Sequence, residues 1–411
     1  MDKKEKQLVK EIKNYKIPQD WHKFKMGKLF NFSGGLSFSR NNLSDIGFLY
    51  LHYGNIHTSR KNYINVKNEI NVLPKLNIPL NDVKEESLLK HGDVVFVDAS
   101  EDYEGTSKCV VIENSENIPF ISGLHTIVAK SNGEIIRNGY KKYCFENWDI
   151  KRQFAFFVTG ISVFGLNKTN ISRIIIPVPS LLEQQIIAEI LSTCDKVIEL
   201  KEKLIEQKKL QKKYLMQVLL DPKSPYFRRL TGFKGEWQEV NLEDMSEITT
   251  GKLDANAMTE NGDYKFFTCA KESYLINKYA FDTEALLVSG NGANVGYVHY
   301  YKGKFNAYQR TYVLDKFKQN IILIKYMLDI FLKARIHKEK NEGNTPYIRL
   351  DTLGKMKIKL PLAIEQKSIV NVLSAADQEI SLLEKELEQQ KLKKKALMQL
   401  LLTGKVRVNV S

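Results

Sequence analysis

Chemistry needs particular groups at particular spacings, and the usual catalytic sets are missing from this chain. No G-x-x-x-x-G-K-[ST] run occurs, so no phosphate-cradling P-loop is expected. The nearest glycine-rich stretch, "SGNGANVGY" at 289–297, places glycines at 290, 292 and 296. That misses the G-x-G-x-x-G spacing of a dinucleotide loop and reads better as a turn. The seven histidines include no H-E-x-x-H, and no His/Cys cluster has zinc spacing, so no metal site is expected. No Pro-Pro pair occurs, which removes the proline-proline-aromatic tetrapeptide of enzymes that methylate exocyclic amines. The chain offers no catalytic constellation.

Binding chemistry is better represented. Several loops mix basic, amide and hydroxyl side chains with aromatic residues and glycine. In the first half these are "SFSRNN" with Ser39, Arg40 and Asn41, "NIHTSRKNY" with His57, Arg60 and Lys61, and "SEDYEGTSK" with Tyr103 and Lys108. In the second half they are "TTGKLDAN" with Lys252 and Asn256, "SGNGANVG" with Asn291 and Asn294, and "YQRTY" with Gln309 and Arg310. The last is "GNTPYIRL" with Asn344, Tyr347 and Arg349. Arg and Lys match guanine edges, Asn and Gln match adenine edges, and hydroxyls and backbone amides match phosphates. Such composition is also ordinary for surface loops, so these residues are candidates for nucleic-acid contact rather than a site. The charge balance points the same way: 62 Lys+Arg against 48 Asp+Glu leaves a net charge of +14.

Four cysteines, Cys109, Cys144, Cys194 and Cys269, stand singly, which suits a reduced cytoplasmic chain without disulfides. The opening "MDKKEKQLVKEIKNYK" lacks the apolar core of a signal peptide. The apolar run at 321–332 contains Lys325 and Asp329 and is too short to cross a bilayer. A soluble, cytoplasmic protein is expected.

The elements that must position these loops are written twice. Residues 176–220 align without gaps on 358–402, Pro179 on Pro361, with roughly half the positions identical. Glu183/Glu365, Gln184/Gln366, Asp195/Asp377 and Lys212/Lys394 are among the shared residues, and the copies close on "LMQVLL" and "LMQLLL". Each copy reads as a long helix with apolar residues at alternating spacings of four and three, a heptad seam. The expected seam runs through Ile187, Leu191, Ile198, Ile205 and Leu215 in the first copy. In the second it runs through Ile369, Leu373, Ile380, Leu387 and Leu397. Lys201, Lys208 and Lys212 interrupt the first copy, so a looser or more polar middle is expected. A helix of roughly 35 residues extends about 50 Å.

The parts before the helices correspond more faintly. "WHKFKMGKLFNFSGG" from Trp21 can be laid on "WQEVNLEDMSEITTG" from Trp237, Gly35 on Gly251. Short alternating strands follow at 48–53, 93–99, 285–290 and 311–316, with one helical stretch late in each half, at 143–157 and 320–337. The expected fold is α+β: two β-rich globules, each followed by a long helix, in a pseudo-twofold repeat. The expected domains are a recognition globule over 1–178, a helical region over 179–221, a second globule over 222–360 with linker 222–236, and a second helical region with tail over 361–411.

This arrangement resembles the specificity subunit of Type I restriction–modification systems. The residues that carry the resemblance are "IPVPSLLEQQIIAEIL" with its "LMQVLL" ending, the linker "FRRLTGFKGEW" (227–237), the terminal "LMQLLLTGKVRV" (397–408) and "IPQDW" (17–21). The resemblance implies a non-catalytic subunit whose two target-recognition domains each read half of a split, asymmetric double-stranded DNA target. The helices would pack antiparallel as an intramolecular coiled coil and set the spacer between half-sites. It also implies two copies of a modification subunit, an adenine-N6 methyltransferase using S-adenosylmethionine, docked on the helices. ATP- and Mg-dependent restriction subunits would join that complex. Residues kept alike in both copies, Glu183, Gln184, Glu365, Gln366, Lys212 and Lys394, are then the expected docking positions. A coiled-coil adaptor that binds RNA or protein through two β-rich modules is the alternative reading of the same charge and repeat.

Overall fold

The computed structural model describes residues 17–38, 40–79, 82–102, 105–160, 162–338 and 347–409. The chain folds as two compact units, Met1–Leu200 with Leu387–Ser411, and Lys201–Glu386. Each unit contains one β-rich globule and a portion of both long helices.

In the first unit, strand β1 (His22–Lys25) pairs antiparallel with β7 (Ile175–Val178) next to the long helix. The main sheet is built from β2 (Phe30–Gly34), β3 (Tyr63–Asn65), β4 (Val94–Val97), β5 (Cys109–Glu113) and β6 (Thr126–Ser131). Its order is β2-β6-β4-β5-β3, antiparallel except for the parallel β5–β3 pair. All four residues of "VVFV" in β4 are buried, because both faces of this sheet are covered. Val94 and Phe96 join a core with Phe30, Phe145 and Phe154, whereas Val95 and Val97 face a second core with Leu51 and Phe120. The second face is capped by a small sheet of Phe120–Ser122, Phe48–Leu51, Lys75–Leu76 and Leu43–Ser44. The helical stretch expected at 143–157 is two helices, α1 (Asn138–Cys144) and α2 (Trp148–Phe157). Asn147 breaks them: its side chain accepts from Asp149 N at 2.8 Å as an N-cap and donates to Leu402 O at 2.6 Å.

The second unit repeats this frame. β8 (Gln238–Asn241) pairs antiparallel with β15 (Lys357–Leu360), as β1 does with β7. Its sheet contains β9 (Glu247–Thr250), β10 (Tyr264–Phe267), β11 (Tyr274–Ile276), β12 (Phe281–Ser289), β13 (Val298–Ala307) and β14 (Thr311–Asp315). The order β9-β14-β12-β13-β10 reproduces β2-β6-β4-β5-β3 strand for strand, including the single parallel pair, and β11 extends its edge. The four-stranded cap of the first unit has no counterpart among the strands described here. An 18-residue helix after the sheet, α4 (Ile321–Lys338), covers the face formed by Leu286, Val288 and Leu314.

The repeated helices are Leu181–Leu220, α3, and Ala363–Leu402, α5, each 40 residues long and in the register of the sequence repeat. In the second unit Lys201 pairs with Glu386 (2.7 Å), Lys208 with Glu379 (2.6 Å) and Lys212 with Asp377 (2.5 Å). Partner numbers fall as the lysine numbers rise, so the helices run antiparallel there. The lysines that interrupt the seam are therefore interhelical cations. Ile205 and Ile380 are buried, and Ile198 and Leu387 are half-buried. The outer seam positions differ from the expected two-helix zipper. Ile187 and Leu191 enter the first globule's core together with Leu401 and Leu402, and Leu397 packs on its edge. Ile369 and Leu373 enter the second globule's core with Met216 and Leu219, with Leu215 at its margin.

The residues expected to dock partners are used inside the fold. Glu183 and Glu365 are each 1% exposed, Gln184 is fully buried and Gln366 nearly so. Gln184 donates to Pro179 O (3.0 Å) and accepts from Arg137 N (2.9 Å), the residue capping α1. Gln366 repeats both bonds with Pro361 O (2.9 Å) and Asn320 N (3.2 Å). Glu183 receives Trp21 Nε1 (2.9 Å) and Arg407 Nε (2.8 Å), and Glu365 receives Arg229 Nε (3.0 Å). A carboxylate this deep needs such partners, because desolvating it alone costs several kcal/mol. Lys212 and Lys394 close two equivalent triads. Tyr326 donates to Asp377 at 2.6 Å while Lys212 holds the other oxygen. Tyr143 donates to Asp195 at 2.7 Å while Lys394 holds the other.

Candidate nucleic-acid interface

The second unit gathers nearly all of its candidate residues at one end of the sheet, where β12 and β14 run out. Gly290 N donates to Arg310 O (2.8 Å), Gln309 N to Leu253 O (2.8 Å) and Ile348 N to Gly290 O (2.9 Å). Asn291 and Tyr347 form a bridge, and Asn294 Nδ2 donates to Cys269 O at 3.1 Å. These bonds tie the segments carrying Lys252, Asn256, Asn291, Asn294, Gln309, Arg310, Tyr347 and Arg349 into one surface. Lys252, Asn256, Gln309, Arg310, Tyr347 and Arg349 are exposed on it. Gly251 permits the close packing beneath: a Cβ there would lie 1.9 Å from Ala307 O. Asn344 lies outside the described residues.

Other groups at this end carry no separate signal in the sequence. His299 contacts Ala270 O through Nε2 (2.9 Å), and Tyr297 packs edge-on against its ring. Burial holds the His299 imidazole below its ordinary pKa, which favours the neutral ring. Ser289 and Thr311 are cross-strand neighbours, and both hydroxyls are buried without a partner among the described residues.

The first unit treats its candidates differently. Lys108 is internal: its ammonium donates to His57 O (2.5 Å) and Ser59 O (2.9 Å), and burial lowers its pKa. Lys61 faces α3, pairing with Glu199 at 3.5 Å and lying over the Tyr63 ring. Lys108 is not free for a phosphate, which corrects that expectation, whereas Lys61 stays half-exposed in a surface ion pair. Asn41 and Arg60 are exposed, and Arg40 lies in the short turn Arg40–Asn42. Ser39 and Tyr103 lie outside the described residues. His57 belongs to an aromatic group in which Tyr53 meets it edge-on at 5.9 Å and meets His125 at 5.5 Å. A cavity of about 510 Å³ opens here, lined by Phe38, Tyr50, His52, Tyr53, Leu124 and His125.

This aromatic end occupies the place of the Gln309–Arg310 end. Gly35 N donates to Thr126 O (3.1 Å) as Gly251 N does to Thr311 O (3.3 Å). Asp98 N donates to His125 O (3.1 Å) as Gly290 N does to Arg310 O. The residues at the matching place in the first unit, Leu124, His125 and Asp98, were not among the sequence candidates. A weak signal was present, since "HTIV" (125–128) follows the pattern of "RTYV" (310–313).

Among the described residues no three His, Cys, Asp or Glu side chains converge as metal ligands, and no helix is long and apolar enough to cross a membrane.

One strand frame carrying two unlike loop ends makes this a duplicated scaffold. The family model for the Type I restriction modification DNA specificity domain matches residues 18–209 and 234–392. The chain therefore belongs to the Type I restriction–modification DNA specificity family. It is 41% identical over 158 residues to the Type I restriction enzyme EcoDI specificity subunit of Escherichia coli, a match covering 38% of this chain and 34% of that protein. To the Type I restriction enzyme MjaVIII specificity subunit of Methanocaldococcus jannaschii it is 29% identical over 300 residues, 65% of this chain and 70% of that one. The fold is similar to the crystal structure of the Type-I restriction-modification system S subunit from M. genitalium. The TM-score is 0.55 at 14% identity, over 96% of this chain and 97% of that one.

Proposed function

We propose that this chain is the sequence-reading subunit of a Type I restriction–modification complex, with no catalytic activity of its own. Each β-rich unit reads one half of a bipartite, asymmetric double-stranded DNA target. The observation that carries this reading is the repetition of one strand order beneath two unlike loop ends. Equal scaffolds with unequal reading surfaces suit an asymmetric target.

Adenine-N6 methylation and ATP-dependent cleavage then belong to partner subunits, which would bring S-adenosylmethionine, ATP and Mg. Two copies of the modification subunit fit the duplicated helices. With Glu183, Gln184, Glu365 and Gln366 buried, the docking surface shifts to exposed apolar positions that repeat. Leu200 and Leu382 are 56% and 61% exposed, and Leu210 and Leu392 are 61% and 58% exposed. Solvated leucines at matched positions of two helices suit one partner surface met twice.

The test is a genome-wide map of methylated adenines in cells with and without this gene. A split motif present only with the gene is expected. Methylation or cleavage by the purified chain alone would overturn the assignment of catalysis to partners.

A further inference from the structure

Which residues choose the bases can be argued from the equivalence of the two ends. The turn before β6 and the turn before β14 leave their sheets at the same place. Thr126 is paired with Val97 at the end of β4, and Thr311 with Ser289 at the end of β12. Both turns are clamped from two sides by the matched Gly35/Gly251 and Asp98/Gly290 amides. Both sit on a glycine that no larger residue could replace, since a Cβ on Gly35 would lie 1.7 Å from Gly123 O. What the two turns present is different. The first exposes Leu124 and His125, and the second exposes Gln309 and Arg310.

We propose that Leu124–His125 and Gln309–Arg310 are the equivalent base-reading dipeptides of the two half-sites, and that exchanging them exchanges specificity. The proposal rests on the DNA-reading function proposed above. Arg310 can hold guanine O6 and N7 as a bidentate donor, and Gln309 can pair with adenine N6 and N7. Leu124 offers an apolar contact to a thymine methyl, and His125 a single ring donor or acceptor. His125 adopts φ +60°, a left-handed conformation that non-glycine residues rarely take. That conformation is sustained where the surroundings hold it, here by the Asp98 amide bond and the edge of Tyr53. Asp98 Oδ1 stands 3.7 Å from His125 Nδ1, a carboxylate beside the ring. The corresponding Gly290 has no side chain, so Arg310 meets no carboxylate at that position.

The experiment uses the complete complex in cells and reads the methylated-adenine motif. The variants are Leu124→Gln with His125→Arg, and Gln309→Leu with Arg310→His. Each double variant is expected to change or relax one position of one half-site, leaving the other half-site as in wild type. Loss of the Arg310 contact should reduce discrimination at its base by about 5- to 150-fold. A wild-type motif from both double variants overturns the proposal while leaving the DNA-reading function standing. Absence of any motif from the wild-type complex is the separate failure of that function. Should a double variant silence methylation, the single variants Arg310→Lys and His125→Gln are read on the same map. Arg-to-Lys loses bidentate geometry while keeping charge, so an altered motif supports the proposal and an unaltered one from both overturns it.

Discussion

Arg407 holds the buried carboxylate of Glu183 through Nε and Nη2, at 2.8 and 2.9 Å, while its other face takes Asp20 at 2.9 and 2.6 Å. Trp21 completes the Glu183 site and lies under the same guanidinium. The segment after α5 is thereby fastened to the start of α3 within the first unit. In the second unit, the segment after α3 is fastened to the start of α5 by Arg229 on Glu365, at 3.0 and 2.5 Å.

Arg407→Met should therefore destabilise the first unit by about 1.5–3 kcal/mol, because buried Glu183 loses charge-assisted bonds while Arg407 itself is partly open to solvent. Adding Glu183→Gln should restore much of the loss, since a neutral amide needs no counter-ion and can still accept from Trp21. Denaturant titration of the three proteins checks this. A single variant as stable as wild type would show that Glu183 is not held as a buried anion.

The two tryptophans that open the globules should respond unequally to the same change. Trp21 Nε1 donates to Glu183, whereas Trp237 Nε1 is buried without a hydrogen-bond partner among the described residues and its ring rests edge-on against Phe227 at 5.5 Å. Trp21→Phe loses a bond to a charged group, about 1.5–3 kcal/mol, in addition to packing. Trp237→Phe removes an orphan donor along with some packing, so its net cost should be smaller by at least ~1 kcal/mol. Thermal melts of the two variants, compared with wild type, measure the difference. Equal losses would contradict it.

The antiparallel pairing was expected from the family resemblance, and the duplicated helices were legible because each is a local pattern repeated in register. Polar position in the interior was not. Glu183 and Gln184 carry side chains that normally face water, so their retention in both copies reads as an external surface. Glu183 is met by Trp21, 162 residues upstream, and Arg407, 224 residues downstream, and Gln184 by Arg137, 47 residues upstream; no local pattern encodes such meetings. Lys108 failed for the same reason, since its acceptors are backbone carbonyls of His57 and Ser59. The second unit's candidate loops were legible as a group because they are rich in Arg, Asn and Gln. The first unit's proposed reading surface was not, because aromatic and histidine residues around Leu124 and His125 resemble core sequence.

Thiol labelling should divide the four cysteines in half. Cys109 and Cys144 are buried, and burial pushes the Cys109 thiol up to about 12 and that of Cys144 well above its ordinary value. Cys194 and Cys269 are partly exposed. Because the thiolate is the nucleophile, a maleimide at neutral pH should modify Cys194 and Cys269 in the native protein. Cys109 and Cys144 should react only after unfolding. Peptide mass spectrometry after a short pulse checks this, and early modification of Cys109 would show that the β4–β5 region opens.

Asp98 should make the first unit's stability depend on pH with a definite sign. Burial raises its carboxyl above the usual carboxylate range, and the nearby His125 and Lys168 only partly oppose this. Its folded pKa therefore lies above its unfolded one, so the fold favours the protonated form. The associated stabilisation is fully present below the unfolded value and is lost as pH rises through the folded value. At neutral pH the ionised Asp98 is a net burden, and Asp98→Asn should be more stable than wild type there. The advantage should shrink as the pH falls through the carboxylate range, because wild type becomes neutral at this position as well. Unfolding midpoints of both proteins between pH 7 and about pH 3.5, below the ordinary Asp value, give the comparison. An advantage that grew on acidification would mean that Asp98 is held as a stabilised anion, with His125 rather than burial in control.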